Sequence, residues 1–182
     1  MESQLIAHCS PTLASIKTGS LFSYAFASQI DLERRLRRCN RELGPKGVRV
    51  EALRVCEQRA LIYVYRRTHL QADLLRGEAQ LLLGSLGYPC GDADACLRLL
   101  RQRLDQGCGF PHEIGLFLGY PPADVAGFMA NGGRNCKCMG CWKVYGDEDQ
   151  AQRLFEKFRK CRRVYAKRFS SGTTVAQLIV AI

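Results

Sequence analysis

The sequence predicts an α/β or α+β fold in one domain, with a mixed sheet of about five strands and flanking helices. Runs rich in β-branched and aromatic residues at 21–26, 48–55 and 60–65 are typical of strands. Longer stretches that begin at capping residues are typical of helices. With 182 residues, 47% of them hydrophobic, the chain is long enough to bury one substantial core. We therefore expect a single domain over residues 1–182.

The first predicted helix is short. Ser10 followed by Pro11 has the pattern of an N-cap and a first helical residue, which predicts a helix over 11–17. A strand at 21–26 is followed by a helix over 28–43, because Ser28 is a favourable cap and a Gly-Pro pair comes directly after the helix.

An antiparallel hairpin is predicted next, because the strands 48–55 and 60–65 are separated by a short polar segment. Capping residues and prolines place most of the later helices. The remaining predicted elements, in order, are helices at 68–83 and 92–106, two shorter helices within 111–131, a Gly/Cys loop at 132–141, a strand at 142–145, a long helix at 148–169 and a final strand at 175–180.

Composition restricts the environment and the partners. The sequence contains no apolar run of the roughly 20 residues that a membrane helix needs, and its start lacks the pattern of a secretory signal. We expect a cytoplasmic protein that does not insert into a membrane, so its ten cysteines should be reduced thiols. A formal net charge of +10 favours an anionic partner, such as nucleic acid, a nucleotide, an acidic cofactor or small molecule, or an acidic protein.

The cysteine loop is the most informative segment. Cys136, Cys138 and Cys141 fall within six residues beside glycines, a pattern that can direct several thiolates at one point. Thiolates suit Zn²⁺, Cu(I) or an iron–sulfur cluster, each of which normally takes a fourth ligand. Cys161 is the candidate, because its spacing places it on the apolar face of the long helix. The alternative is that these cysteines are only tolerated or pack as small apolar residues.

Cys9 is a second candidate. At the start of the helix predicted at 11–17, a thiol would have its pKa lowered by the positive end of the helix dipole, so Cys9 could act as a nucleophile or a ligand. The alternative is that Ser10-Pro11 only begins a helix and that Cys9 packs beneath it.

His112 and Glu113 form the third candidate, in the first turn of a short predicted helix with glycines one turn apart. The dipole there favours neutral histidine, which is suited to act as a base or a ligand. The alternative is that Glu113 only complements the dipole while Gly115 and Gly119 allow close packing.

These segments give one preferred hypothesis, a cytosolic thiol or metal-site protein whose three motifs converge near one end of the sheet. As an enzyme, it would use Cys9 as nucleophile, His112 as acid/base partner and Glu113 as an orienting group. As a binding protein, it would hold zinc or iron on its thiolates. The predicted contacts to a bound cofactor are Lys17, Trp142 and Lys143.

A different hypothesis rests on two basic helices. Their cations are usually a solvated face, but they are also compatible with a nucleic-acid or acidic-partner binding module without catalysis. The cations are Arg34, Arg35, Arg37, Arg38 and Arg41 on one helix, and Arg153, Lys157, Arg159, Lys160, Arg162, Arg163, Lys167 and Arg168 on the other.

Four segments together resemble an uncharacterised domain-of-unknown-function family of small cytosolic proteins from anaerobic bacteria. They are residues 8–13, 63–66, 110–121 and 136–147, the last of which includes Trp142-Lys143-Val144-Tyr145. The resemblance covers almost the whole chain. It implies that these segments belong together and that the host environment is anaerobic, where exposed thiols and labile clusters are easier to keep.

Overall fold

The fold was analysed in a computed structural model, which describes residues 1–106 and 109–181. It consists of two compact units. Unit 1 comprises Met1–His69 and Lys160–Ile182, and unit 2 comprises Leu70–Arg159.

Unit 1 is built on a three-stranded antiparallel sheet with the order β1-β3-β2. Its strands are β1 (Gly19–Ala25), β2 (Val48–Cys56) and β3 (Arg59–Arg66). The predicted β2–β3 hairpin is confirmed, with a register shift between Ala52 and Arg54.

The helices of unit 1 bury apolar faces in one core. They are α1 (Glu2–Leu13), α2 (Gln29–Leu43), the second half of α8 (Glu148–Ser170) and the short α9 (Val175–Leu178). Ser28 caps α2 as predicted, since its hydroxyl accepts a hydrogen bond from the Asp31 N–H. The core contains Leu5, Cys9, Leu13, Phe22, Leu32, Leu43, Val48, Val50, Ile62, Val64 and Tyr165, among others.

A buried arginine joins distant parts of this unit. The Arg66 side chain is fully buried, and its guanidinium donates to the carbonyl oxygens of Thr12 and Leu13 in α1 and of Val180 near the C-terminus, each at 2.7 Å. A fourth bond, of 3.3 Å, reaches the Lys46 carbonyl. Burial lowers the pKa of Arg66, and dipoles of neutral carbonyl groups stabilise its charge.

Unit 2 is mainly helical. Asp92 caps α5 as predicted, with its carboxylate accepting from the Asp94 and Ala95 N–H groups. The elements are α3 (Arg67–Leu74, which begins in unit 1), α4 (Gly77–Ser85), α5 (Ala93–Asp105), α6 (Ile114–Phe117), α7 (Pro122–Asn131), the strands β4 (Cys138–Met139) and β5 (Lys143–Val144), and the first half of α8.

The sheet arrangement corrects the predicted fold. The α/β character is present, but the five strands form a three-stranded and a separate two-stranded sheet instead of one mixed sheet. All observed pairings are antiparallel. The predicted strand at 175–180 is wrong, because Thr174 and Gln177 form a capping box that begins α9.

Two predicted helices also differ. The helix predicted at 11–17 instead spans Glu2–Leu13, with Pro11 inside it. Because Pro11 has no N–H, the last turn of α1 lacks the bond to the carbonyl four residues earlier. The helix predicted at 68–83 is two helices, α3 and α4, with a break before Gly77. No helix within the described residues is long and apolar enough to cross a membrane.

A glycine pair offers a test of the packing in unit 2. A Cβ added at Gly127 in α7 would lie 2.5 Å from Tyr145 Cβ, whereas one at Gly84 in α4 would meet nothing within 4 Å. Alanine favours helix at both sites, so Gly84→Ala should raise the free energy of unfolding by up to about 1 kcal/mol. Gly127→Ala should lower it by about 1–3 kcal/mol. Urea denaturation of both variants measures the difference, and the same sign for both would contradict the packing.

Candidate functional site

The cysteine loop forms a small hairpin in unit 2. Cys138 pairs with Val144 and Met139 with Lys143, and residues 140–142 make the turn. Cys138 therefore lies in the first strand and Cys141 in the turn, separated by two residues.

A buried carboxylate holds this hairpin. Asp124, in the first turn of α7, accepts from Trp142 Nε1 at 2.6 Å and from the N–H groups of Tyr145 and Gly146, both at 2.7 Å. Its exposed fraction is 3%. One side chain thus fixes the turn and the chain after β5.

Aromatic rings support the turn from the inside. The Trp142 ring is stacked with Tyr120, with centroids 4.8 Å apart, and meets Phe155 edge-on at 4.6 Å. Gly140 lies so close to Phe155 that an added Cβ would fall 2.3 Å from that ring. The hairpin backbone is therefore held between Asp124 and the aromatic rings.

The three predicted cofactor contacts all have structural partners. Trp142 is buried and bonded to Asp124. Lys143 donates to the Gly133 carbonyl at 2.6 Å, and Lys17, in unit 1, donates to the Gly19 carbonyl.

The loop thiols are half-buried. Cys136, Cys138 and Cys141 all have intermediate exposure, and no disulfide is present among the described residues. The Cys138 thiol hydrogen-bonds with the carboxylate of Glu148, the first residue of α8. Burial, followed by the charge and hydrogen bond of Glu148, raises the pKa of Cys138. Cys138 is therefore a thiol with an adjacent proton acceptor.

The predicted metal ligands are not assembled into a site. Among residues 1–106 and 109–181, no three His, Cys, Asp or Glu side chains are grouped closely enough to hold a metal ion. Cys161 belongs to unit 1, where it is half-buried against the core, and the three loop cysteines belong to unit 2. Cys108 lies outside the described residues.

His112 and Glu113 have different environments. Glu113 is buried, and its Oε1 accepts from Tyr88 Oη and from Arg103, both at 2.9 Å. The Arg103 guanidinium also lies 4.8 Å from the centroid of the Tyr88 ring. His112 is exposed, with its ring edge-on to Phe128 at 4.8 Å. Oε1 of Glu113 is thus engaged by Tyr88 and Arg103. The described side-chain contacts of His112 are with aromatic rings.

Cys9 lies in the last turns of α1, so the prediction that it sits beside a helix N-terminus is wrong. It is fully buried. Burial raises its pKa to about 12, and the nearby charges of Lys17 and Arg162 offset this only in part. The N-terminus of α1 therefore does not lie beside Cys9 to lower the pKa of its thiol. Cys9 also belongs to unit 1, whereas His112 belongs to unit 2.

The burial of Cys9 predicts a pH effect on stability. An unfolded cysteine loses its proton near pH 9, whereas native Cys9 keeps it up to about pH 12. The free energy of unfolding should therefore fall as pH rises from 9 toward 12, by up to about 4 kcal/mol. Cys9→Ala should flatten this decline in urea titrations between pH 8 and 11. The exposed-site control Cys56→Ala should keep it, and an unchanged decline in Cys9→Ala would contradict the assignment.

A comparison with known protein families gives one match. The model of the family described as "Protein of unknown function (DUF3793)" matches residues 5–179. The chain belongs to this family. The match includes all four segments on which the resemblance rested. The DUF3793 chain matches no curated protein and no solved structure.

Two residues that matter in the DUF3793 site escaped sequence reasoning. Asp124 lies in the first turn of α7, two residues after Pro122. An acidic residue in a first turn usually indicates only a favourable interaction with the helix dipole. Glu148 has the same position in α8. No local signal distinguishes an acid that faces solvent from one that faces a hairpin formed about 20 residues away.

Proposed function

We propose that this DUF3793 protein is a cytoplasmic thiol protein whose working site is the dithiol of Cys138 and Cys141. The observation that carries the proposal is a Cys-x-x-Cys pair in a small hairpin, with half-exposed thiols and a carboxylate hydrogen-bonded to one of them. Two cysteines separated by two residues are a common arrangement in disulfide oxidoreductases.

The rigidity of the turn favours such a role. A disulfide forms only when the two Cα atoms lie within about 7 Å, and two cysteines three positions apart in a tight hairpin can approach within that limit. The bonds of Asp124 and the close contact between Gly140 and Phe155 keep the turn in one shape. Little ordering entropy would then remain to be lost on oxidation.

The proposed reaction is thiol–disulfide exchange with a small-molecule or protein disulfide. The Cys141 thiolate attacks one sulfur of that disulfide, forms a mixed disulfide and releases the other sulfur as a thiolate. Cys138 then passes its proton to Glu148 and attacks Cys141 Sγ, which releases the second partner thiolate. The dithiol loses two electrons and two protons, and the partner disulfide becomes two thiols.

The metal-handling form of the proposal uses the same thiolates. Zn²⁺ or an iron–sulfur cluster normally takes four ligands. Holding either one would therefore require ligands besides this pair.

Equilibration with glutathione redox buffers, followed by mass mapping, tests the proposal. We expect an internal Cys138–Cys141 disulfide in the native protein. In Cys138→Ser, glutathione should stay attached to Cys141, because the thiol that resolves the mixed disulfide is gone. Cys56→Ser, which removes an exposed cysteine of unit 1, should leave the internal disulfide unchanged. Stable glutathione adducts on both Cys138 and Cys141 in the native protein would contradict the dithiol.

The Glu148 contact gives a second test. Glu148→Gln removes the negative charge that helps to raise the pKa of Cys138, so that pKa should fall. Alkylation of Cys138 by iodoacetamide, followed by peptide mass spectrometry, should then reach half of its maximal rate at lower pH. Asp149→Asn removes the same charge one residue further along and should shift the profile less. Equal profiles for Glu148→Gln and the native protein would remove Glu148 from the mechanism.

A further inference from the structure

The excess positive charge of the protein lies in unit 1. Unit 1 holds 17 of the 27 Lys and Arg residues and six of the 17 Asp and Glu residues, a formal excess of 11 positive charges. Unit 2 holds ten Lys and Arg residues and 11 Asp and Glu residues. The dithiol thus lies in a nearly neutral unit, and any anionic partner would be attracted to the other one.

Within unit 1, the two basic helices differ in how their cations are paired. On α2, Arg35 pairs with Asp31 at 2.8 Å, Arg37 with Glu33 at 3.2 Å and Arg38 with Glu42 at 2.9 Å. The part of α8 from Lys160 to Ser170 contains no acidic residue. Its cations are therefore not neutralised along their own helix.

Four of these cations form what we call the basic stretch: Lys160, Arg163, Lys167 and Arg168. All four are exposed, and no ion pair within the described part of the chain involves them. Tyr165 and the half-buried Phe169, on the other side of this part of the helix, pack against the core. The basic stretch rises about 12 Å along the helix axis.

Stabilisation of the helix explains only part of this charge. Lys167 and Arg168 lie in the last turn, where cations interact favourably with the negative end of the helix dipole. Lys160 and Arg163 lie two or more turns from the end, beyond the range of that effect. The last acid before them on this helix, Glu156, pairs with Arg159. The presence of these two cations therefore calls for another explanation.

We propose that the basic stretch binds the phosphate backbone of a nucleic acid. A double helix carries about one negative charge per 1.7 Å of its axis when both strands are counted. A duplex segment as long as the basic stretch therefore carries roughly seven phosphates. Lysine and arginine side chains on one helix face contact phosphates readily, and such contacts do not depend on base sequence.

Other anionic partners fit this face less well. An amphipathic helix that lies in a membrane surface also buries an apolar face there, but the apolar side of this helix is buried in the core. A protein interface is usually centred on aromatic or other large apolar residues. Among residues 160–170, Val164 is the exposed large hydrophobic residue, at 47%. The proposal is independent of the dithiol.

The test measures binding of a fluorescent 20-base-pair duplex by anisotropy between 50 and 300 mM salt, with all variants checked for folding by circular dichroism. If four phosphates are contacted, log K should fall against log salt with a slope of about −3.6. Lys160→Gln combined with Lys167→Gln should reduce the slope by about 1.8 and weaken binding tens of fold at 0.1 M salt. The matched control combines Arg34→Gln with Arg41→Gln, which removes the same charge from exposed positions on α2.

Each outcome decides the proposal. A reduced slope in the α8 pair with an unchanged slope in the α2 pair would support it, and Cys138→Ser should bind like the native protein. Equal losses in both pairs would show that only net charge matters and would overturn the assignment to α8. Poly-glutamate or anionic vesicles that displace the duplex at equal charge concentration would assign the face to another class of anion. Undetectable binding at 50 mM salt would also overturn it.

Discussion

Arg66→Met is expected to lower the free energy of unfolding by about 3–5 kcal/mol, measured by urea denaturation. Methionine has a similar length but no donor. The substitution would strip the carbonyl oxygens of Thr12, Leu13 and Val180 of their 2.7 Å bonds inside a closed core. The Thr12 and Leu13 carbonyl oxygens each keep a bond from a backbone N–H, of Ser15 and Val180 respectively. The loss is therefore that of the charge-assisted bonds, which contribute about 1.5–3 kcal/mol each, and partial relaxation keeps the total below their sum.

A local readout and a control accompany this prediction. Because Arg66 ties Val180 to α1, hydrogen exchange over residues 175–180 should accelerate more than exchange in β2. Arg54→Met, at an exposed position in β2, should change stability by no more than about 0.5 kcal/mol. A loss below about 1 kcal/mol in Arg66→Met would mean that the buried guanidinium does not hold the unit together.

Asp124→Ala is expected to be similarly damaging, with a loss of about 3–5 kcal/mol. The substitution leaves three donors without their acceptor: Trp142 Nε1 and the N–H groups of Tyr145 and Gly146. Each unsatisfied buried group costs about 1–3 kcal/mol. Asp124→Asn should lose less, because its remaining oxygen can still accept the two backbone bonds.

The single tryptophan makes this change easy to follow. Because Trp142 would lose its partner in a buried site, its fluorescence should shift to longer wavelength under native conditions. Asp105→Ala, at an exposed position at the end of α5, should leave both stability and emission nearly unchanged. An unshifted emission and native stability in Asp124→Ala would show that the hairpin does not depend on this carboxylate.

Elements were predictable where local signals agree. Ser28 and Asp92 were recognised as caps, and the alternation of the β2–β3 strands placed the hairpin. Prediction failed where two signals compete. Ser10-Pro11 resembles a helix start, but the apolar residues Leu5, Ile6 and Cys9 already form the buried face of α1, and this burial is worth more than the missing bond at Pro11.

The candidate site was predictable in its chemistry but not in its assembly. The sequence singles out the cysteine loop as a thiol or metal site, and the structure places its three thiols at intermediate exposure. It did not separate Cys9 and Cys161 from that loop, since assignment to a unit depends on contacts between residues far apart in sequence. It also interprets Glu113 as a functional group, and the structure shows that its Oε1 accepts hydrogen bonds from Tyr88 and Arg103.

By itself, the sequence determined the β2–β3 hairpin, the capped starts of α2 and α5, the basic character, the thiol content and the family, because caps, alternation and motifs act over a few residues. Only the tertiary structure decided that Cys9 is buried with a raised pKa, that Asp124 holds the cysteine hairpin, that Cys138 hydrogen-bonds to Glu148 and that the excess charge lies in unit 1. The physical reason is that burial, pKa and hydrogen-bond partners are set by neighbours brought together in space, which no local pattern specifies.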